Sequence, residues 1–83
     1  MKIRIEGDVF EGTPAELIDR FRRASFRAED FPDSAGFLQH MQNQFIRMTE
    51  LACILPDGDL DARAKAMLER LADIDALEII DDE

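Results

Sequence analysis

Lys2-Ile3-Arg4-Ile5-Glu6-Gly7-Asp8-Val9-Phe10-Glu11-Gly12-Thr13-Pro14-Ala15-Glu16 changes its pattern halfway along, and that change decides the fold class. From Lys2 to Glu6 charged and apolar residues alternate, which puts Ile3 and Ile5 on one face of a strand. Gly7-Asp8 supplies a tight turn and Val9-Phe10-Glu11 returns, so the opening reads as a β-hairpin. Gly12 ends it. Thr13 can then cap a helix with its hydroxyl, and Pro14 suits the first helical position because the N–H it lacks would have had no intrahelical acceptor. Glu16, three residues after the cap, can reach back to the Thr13 N–H and complete a capping box. A hairpin leading straight into a capped helix points to an α+β domain.

Outward from that stretch, Leu17, Ile18, Phe21 and Ala24 recur at helical spacing, while Arg20, Arg22 and Arg23 fall mainly off the stripe, so the first helix is expected over Pro14 to about Ala24. Ser25 to Asp33 is a connector; Phe31-Pro32 favours extended backbone, and Phe26 and Phe31 are expected to pin it to the core. A second helix is expected from Ser34 to Ala52, carrying Phe37, Met41, Phe45, Met48 and Ala52, with Leu38 and Leu51 widening the stripe. Pro56-Asp57-Gly58-Asp59 is a turn, and Asp59 or Asp57 can cap a third helix from Leu60 to about Ala72, with Leu60, Ala64, Met67, Leu68 and Leu71 on its apolar side. Asp73-Ile74-Asp75-Ala76 breaks that helix, and Leu77-Glu78-Ile79-Ile80 reads as a short strand.

The expected architecture is therefore ββαααβ: a three-stranded antiparallel sheet, completed by the last strand pairing with the hairpin, packed on three helices. The helix-then-strand ending from Ala66-Met67-Leu68 to Leu77-Ile80 also resembles the last helix and wing of a winged-helix domain, but the third helix is too acidic to act as a recognition helix.

Length and composition bound the function. Eighty-three residues suit one domain, 1–83, with one modest core, and 46% hydrophobic against 35% charged residues is enough apolar material to fold. A domain this small buries only about 60% of the surface its unfolded chain exposes, so a large internal substrate cavity is excluded and function is expected on the surface. The charged start lacks the apolar run of a signal peptide, and no stretch is long enough to span a bilayer, which suggests a cytoplasmic setting. Cys53 stands alone, which excludes an internal disulfide and leaves too few ligands for a structural zinc site.

Ten Lys and Arg against 19 Asp and Glu give a formal net charge of −9 and a pI near 4.4. Direct binding to nucleic acid or to an anionic membrane is disfavoured, because both depend on cationic side chains. The charge is also polarised: residues 57–83 hold ten acids and three bases, net −7, whereas residues 1–56 hold nine acids and seven bases, net −2. Asp57, Asp59, Asp61, Asp73, Asp75, Glu78, Asp81, Asp82 and Glu83 are the candidate partner-binding residues. On one face they would present carboxylates much as a duplex presents phosphates, and could occupy a basic nucleic-acid channel on another protein. The alternative is a solvated face.

No catalytic constellation stands out. His40 is the sole histidine, and Cys53 lies among Leu51, Ala52, Ile54 and Leu55, where a buried inert thiol is favoured. Asp57-Gly58-Asp59-Leu60-Asp61 resembles the start of a calcium loop, yet Ala62 stands where the loop needs glycine and Leu68 where it needs the bidentate glutamate, so helix capping explains it better. Gly7, Gly12, Gly36 and Gly58 are scattered singly, so no phosphate loop exists, and no cofactor or metal is expected. Arg20, Arg22, Arg23 and Arg27 gather near the end of the first helix, where cations favour its dipole. The Met and Phe residues of the second helix could line an adaptable groove, but their helical spacing reads first as core.

The stretch from Ile5 to Leu17, with Glu11-Gly12-Thr13-Pro14-Ala15-Glu16 at its heart, resembles the start of small acidic proteins encoded in bacterial and prophage genomes, a group with no known activity. That resemblance, rather than the composition, implies an inhibitor of host nucleic-acid machinery of the anti-CRISPR kind. The expectation is a non-enzymatic interaction module whose partner is a protein with a basic surface. A structural or regulatory homo-oligomer, in its simplest form a homodimer joined by a sheet edge or exposed Phe and Met, is the alternative.

Overall fold

The computed structural model describes residues 1–25 and 30–81. Its elements follow the order β1 (Lys2–Ile5), β2 (Asp8–Glu11), α1 (Pro14–Ala24), α2 (Ser34–Thr49), α3 (Leu60–Asp73) and β3 (Glu78–Asp81). The strands form one antiparallel sheet, β2-β1-β3, so the chain is a small α+β domain of ββαααβ order. A wing would be a hairpin built after the last helix; among the described residues a single strand follows α3, and it returns to pair with β1.

The period-two alternation of β1 sorts the sheet. Ile3 faces Phe10 on one side and Ile79 on the other, and these three apolar residues line the helix-covered face, with Ile3 fully buried. Arg4 stands opposite Val9 and Glu78 on the solvent face, where it bonds Glu78 at 3.0 Å. Between Lys2 and Ile3 the β1–β3 register slips by one residue, so Ile80 has no partner across the ladder and β3 bulges there.

The hairpin turn lies one residue earlier than the sequence suggests: Glu6 and Gly7 form it, and Asp8 already belongs to β2, opposite Ile5. Both turn residues have positive φ, 52° and 90°, as the two-residue type I′ connection requires if it is to match the twist of the strands. Gly7 takes that conformation at no steric cost; Glu6 does not.

Helix α1 begins as its sequence implies. Thr13 Oγ1 accepts from the Glu16 N–H at 3.1 Å, and Glu16 Oε1 accepts from the Thr13 N–H at 3.0 Å. Those bonds hold the Glu16 carboxyl below its ordinary pKa. Leu17 and Ile18 are fully buried, whereas Ala24, at the helix end, leaves the stripe and is exposed. Asp19 gathers the next layer: its carboxylate accepts from Arg22 and from the Ser34 hydroxyl, both at 3.0 Å, and pairs with Arg23. Arg22 also donates to the Phe31 carbonyl at 3.1 Å, so one cluster ties α1 to the connector and to the start of α2. The Arg22 and Ser34 hydrogen bonds hold Asp19 ionised below the usual carboxylate range. Phe31 packs edge-on to Phe37 at 5.7 Å and anchors its part of the connector; the expected anchor Phe26 and the cation Arg27 lie outside the described residues.

Helix α2 stops at Thr49, three residues short of the expected Ala52. The Thr49 hydroxyl turns back to the Phe45 carbonyl at 2.7 Å and accepts from the Leu51 N–H at 3.1 Å, while Glu50 enters the left-handed region at φ 59°. A side chain that competes for backbone partners in this way favours a helix end. Beyond it Cys53 and Leu55 reach the core from chain without regular structure, and Leu51 and Ala52 point outward instead of extending the apolar stripe.

Asp59 is the residue that caps α3, accepting from the Ala62 N–H at 2.8 Å. The core collects Ile3, Leu17, Ile18, Leu38, Met67 and Leu68, all essentially solvent-free, and each contributes about 1.5–3 kcal/mol by burial. Helix α3 ends in a Schellman arrangement: the Ala76 N–H bonds the Leu71 carbonyl at 2.9 Å and the Asp75 N–H bonds the Ala72 carbonyl at 3.1 Å, with Asp75 left-handed at φ 60°. That position usually holds glycine. The chain then enters β3 at Glu78, one residue later than expected, and Leu77 is buried ahead of it. Among the described residues no helix is long and apolar enough to cross a membrane.

Candidate functional site

The acidic C-terminal third does not form one continuous row. Helix α3 spans Leu60 to Asp73, and its rise separates the carboxylates at its two ends by roughly 20 Å. Arg63, Lys65 and Arg70 lie between them in sequence.

At the N-terminal end, Asp59 is occupied as the cap, and Asp61 accepts from the Ala15 N–H at 2.9 Å, tying the start of α3 to the start of α1. Asp57 is exposed in the preceding turn. Asp81 closes β3 opposite Lys2, at the end of the sheet where the Gly12 N–H meets the Met1 carbonyl and α1 begins. Asp82 and Glu83 lie outside the described residues.

The other end is built differently. Asp73 pairs with Arg70 on the last turn of α3. Asp75 and Glu78 line a shallow open depression together with Glu6, Arg4, Ala72 and Ala76. The topology makes this meeting unavoidable: β3 runs antiparallel to β1, so the α3–β3 connection and the β1–β2 turn fall at the same edge of the sheet. Asp8, opposite Ile5, opens β2 at that edge as well. Glu6 was missed by sequence reasoning, which treated it as the end of a strand. The Glu-Gly pair at a hairpin turn was the available signal, but only the pairing of β3 with β1 places that turn beside Asp75.

Glu6 and Asp75 share a second property. Both hold left-handed backbone, at φ 52° and 60°, in positions where Gly or Asn is the less strained choice. Two carboxylates thus occupy strained positions beside one depression, and Arg4, bonded to Glu78, is the cation in its lining.

The remaining candidates resolve into structural roles. His40 packs at a tilt beside Phe31, at 4.6 Å, and Phe37, at 6.0 Å, as the third ring of a triangle. Cys53 is buried, and desolvation pushes its thiol pKa up, away from the reactive thiolate. Arg20 lies over the Phe10 ring at 5.6 Å, a cation–π contact that fixes α1 to the sheet. Phe37 and Phe45 are core, while Met41 and Met48 line an apolar groove with Leu71 and Ile74. Among the described residues no group of three His, Cys, Asp or Glu side chains is placed to hold a metal ion.

The fold and this acidic depression define a small α+β domain with an anionic edge. Comparison with protein-family models, curated protein sequences and solved structures returns no match.

Proposed function

We propose that the chain is a non-enzymatic protein-interaction module that docks the acidic edge of its sheet on a basic surface of another protein and blocks a site that would otherwise hold nucleic acid. One observation carries the reading: Glu6 and Asp75, from opposite ends of the sequence, meet at one depression, each on left-handed backbone that a smaller residue would occupy at lower cost. Strain kept at a surface position that serves no core contact is what a recognition site exhibits. The net charge of −9 adds long-range attraction toward a cationic partner, and an inhibitor of the anti-CRISPR type is the form that the resemblance of the Ile5 to Leu17 stretch to prophage-encoded proteins implies. The buried Cys53 and the ring-packed His40 favour binding over catalysis.

The test is affinity capture from native bacterial extract at low and high salt, comparing the wild-type chain with a Glu6→Asn/Asp75→Gly variant. Both substitutions suit the local backbone, so the variant keeps its fold. Recovery of a nucleic-acid-binding complex by the wild type at low salt, lost at high salt and lost by the variant, supports the proposal. Undiminished recovery by the variant sinks it.

A further inference from the structure

The acidic depression has an apolar neighbour. A groove of about 310 Å³ opens between α2 and the end of α3, lined by Phe37, Met41, Phe45 and Met48 from the first and by Leu71 and Ile74 from the second. Its lining continues to Ala76, which also lines the depression that holds Glu6, Asp75 and Glu78, so the two concavities meet across the α3–β3 connection. Met48 is 77% exposed and Ile74 36%, whereas Phe37 and Phe45 are buried. Among the described residues no Asp, Glu, Lys or Arg enters the lining of the groove.

Shape and charge together select what lies in it. From Phe37 to Met48 helix α2 rises about 17 Å, the length of three turns of a second helix laid alongside. Methionine fills irregular space around whatever is offered, so a groove edged by Met41 and Met48 adapts to the apolar stripe of such a helix. At the Ala76 end the side chains of Glu6 and Asp75 have no ion-pair partner among the described residues. The cations of the neighbouring turns are already engaged: Arg4 with Glu78, Arg70 with Asp73, and Arg22 and Arg23 with Asp19. Arg47, beside Met48, is offset by Glu50 at the helix cap. The result is an uncharged apolar wall ending at two carboxylates that lack a cation. A second copy laid groove to groove fits this poorly, because it brings its own Glu6 and Asp75 to the same junction.

We propose, building on the docking of the acidic edge, that the groove takes a basic amphipathic helix of the partner protein. Its apolar side chains, at i, i+3 or i+4 and i+7, seat between α2 and α3, and a Lys or Arg at its flank reaches Glu6 and Asp75. A basic face of this kind is what a nucleic-acid-binding protein turns toward phosphates, so covering it also withdraws it from nucleic acid.

Fluorescence anisotropy with a labelled synthetic helix of about 15 residues, carrying a Leu stripe at that spacing and Lys elsewhere, tests the inference against a scrambled peptide of the same composition. The ordered helix is expected to bind at least about tenfold more tightly than the scrambled one. Met48→Gln/Ile74→Asn, at two exposed positions and with no change of charge, should remove that preference. Glu6→Asn/Asp75→Gly should weaken both peptides and flatten their salt dependence. Circular dichroism checks that both variants keep their helices. Equal affinity for the two peptides overturns the inference, as does a preference that survives Met48→Gln/Ile74→Asn in a folded protein. Capture from bacterial extract separates its failure from that of the acidic edge. A partner lost by both variants supports the helix in the groove; one retained by Met48→Gln/Ile74→Asn but lost by Glu6→Asn/Asp75→Gly leaves the acidic edge standing without it, and one retained by both removes the acidic edge as well.

Discussion

The two ends of α3 carry the same kind of residue and use it in opposite ways. At the N-terminal end Asp59 and Asp61 are hydrogen-bonded to backbone N–H groups that would otherwise have no partner, one in their own helix and one in α1. At the C-terminal end Asp75 holds the left-handed position of a Schellman turn and Glu6 that of a neighbouring hairpin, where a carboxylate costs conformational energy and satisfies no core group. The first pair builds the fold; the second is carried at the expense of it. A count of acids along the sequence cannot separate the two, because what differs is the partner of each carboxylate and the backbone it sits on.

The comparison breaks most visibly at the N-terminal end. Asp59→Ala/Asp61→Ala is expected to destabilise the domain by about 2 kcal/mol, since each side chain caps an orphan helix N–H and a lost cap costs typically about 1 kcal/mol. Urea unfolding followed by circular dichroism measures it, and a midpoint equal to that of the wild type would show that water replaces both bonds without loss.

Acid sharpens the same contrast. Glu16 and Asp19 belong with the fold-building acids, and their pKa values are depressed in the folded state by hydrogen bonds from Thr13 for Glu16 and from Arg22 and Ser34 for Asp19. The unfolded chain therefore binds protons first. The stability these groups contribute is fully present above the ordinary carboxylate pKa of about 4 and is lost as the pH falls from there through their lower folded values. Asp19→Asn should lower stability at neutral pH and flatten its decline below about pH 4, read from thermal midpoints across a pH series. An unchanged slope would mean that the Asp19 cluster does not hold its charge in solution.

The smallest effect has the opposite sign. Asp75→Gly, and separately Glu6→Asn, should leave stability unchanged or raise it by up to about 1 kcal/mol, because each relieves left-handed strain in an L-residue while glycine partly offsets its gain by loosening the unfolded chain. Stabilisation coupled to lost partner capture would mark these two residues as functional. Destabilisation by more than about 1 kcal/mol would move them to the structural class alongside Asp59.

Much of this was legible in the sequence. The element order, the capping box at Thr13 and Glu16, the cap at Asp59 and the buried faces of α1 and α3 rest on neighbours within four residues, and short-range patterns report them directly. Boundaries failed where a single residue had two available conformations. Thr49 could have continued α2 but bonded back to Phe45, and Glu6 could have extended β1 but took the turn. The candidate site was legible only in part: Asp75 and Glu78 were named, whereas Glu6 was not, and Asp57, Asp59 and Asp61 proved to be a helix length away from them.

By itself, the sequence determined an acidic α+β chain with a hairpin, three helices and a final strand, because alternation, helical spacing and caps are local energetic preferences. Only the tertiary structure decided that the final strand, expected to join the hairpin antiparallel, does so on β1 and in this register, and with it that residues 6 and 75 share one surface while residues 59 and 75 do not. Pairing between distant strands is settled by burying Ile3, Phe10 and Ile79 on one face against the helices, a condition no local window of sequence contains.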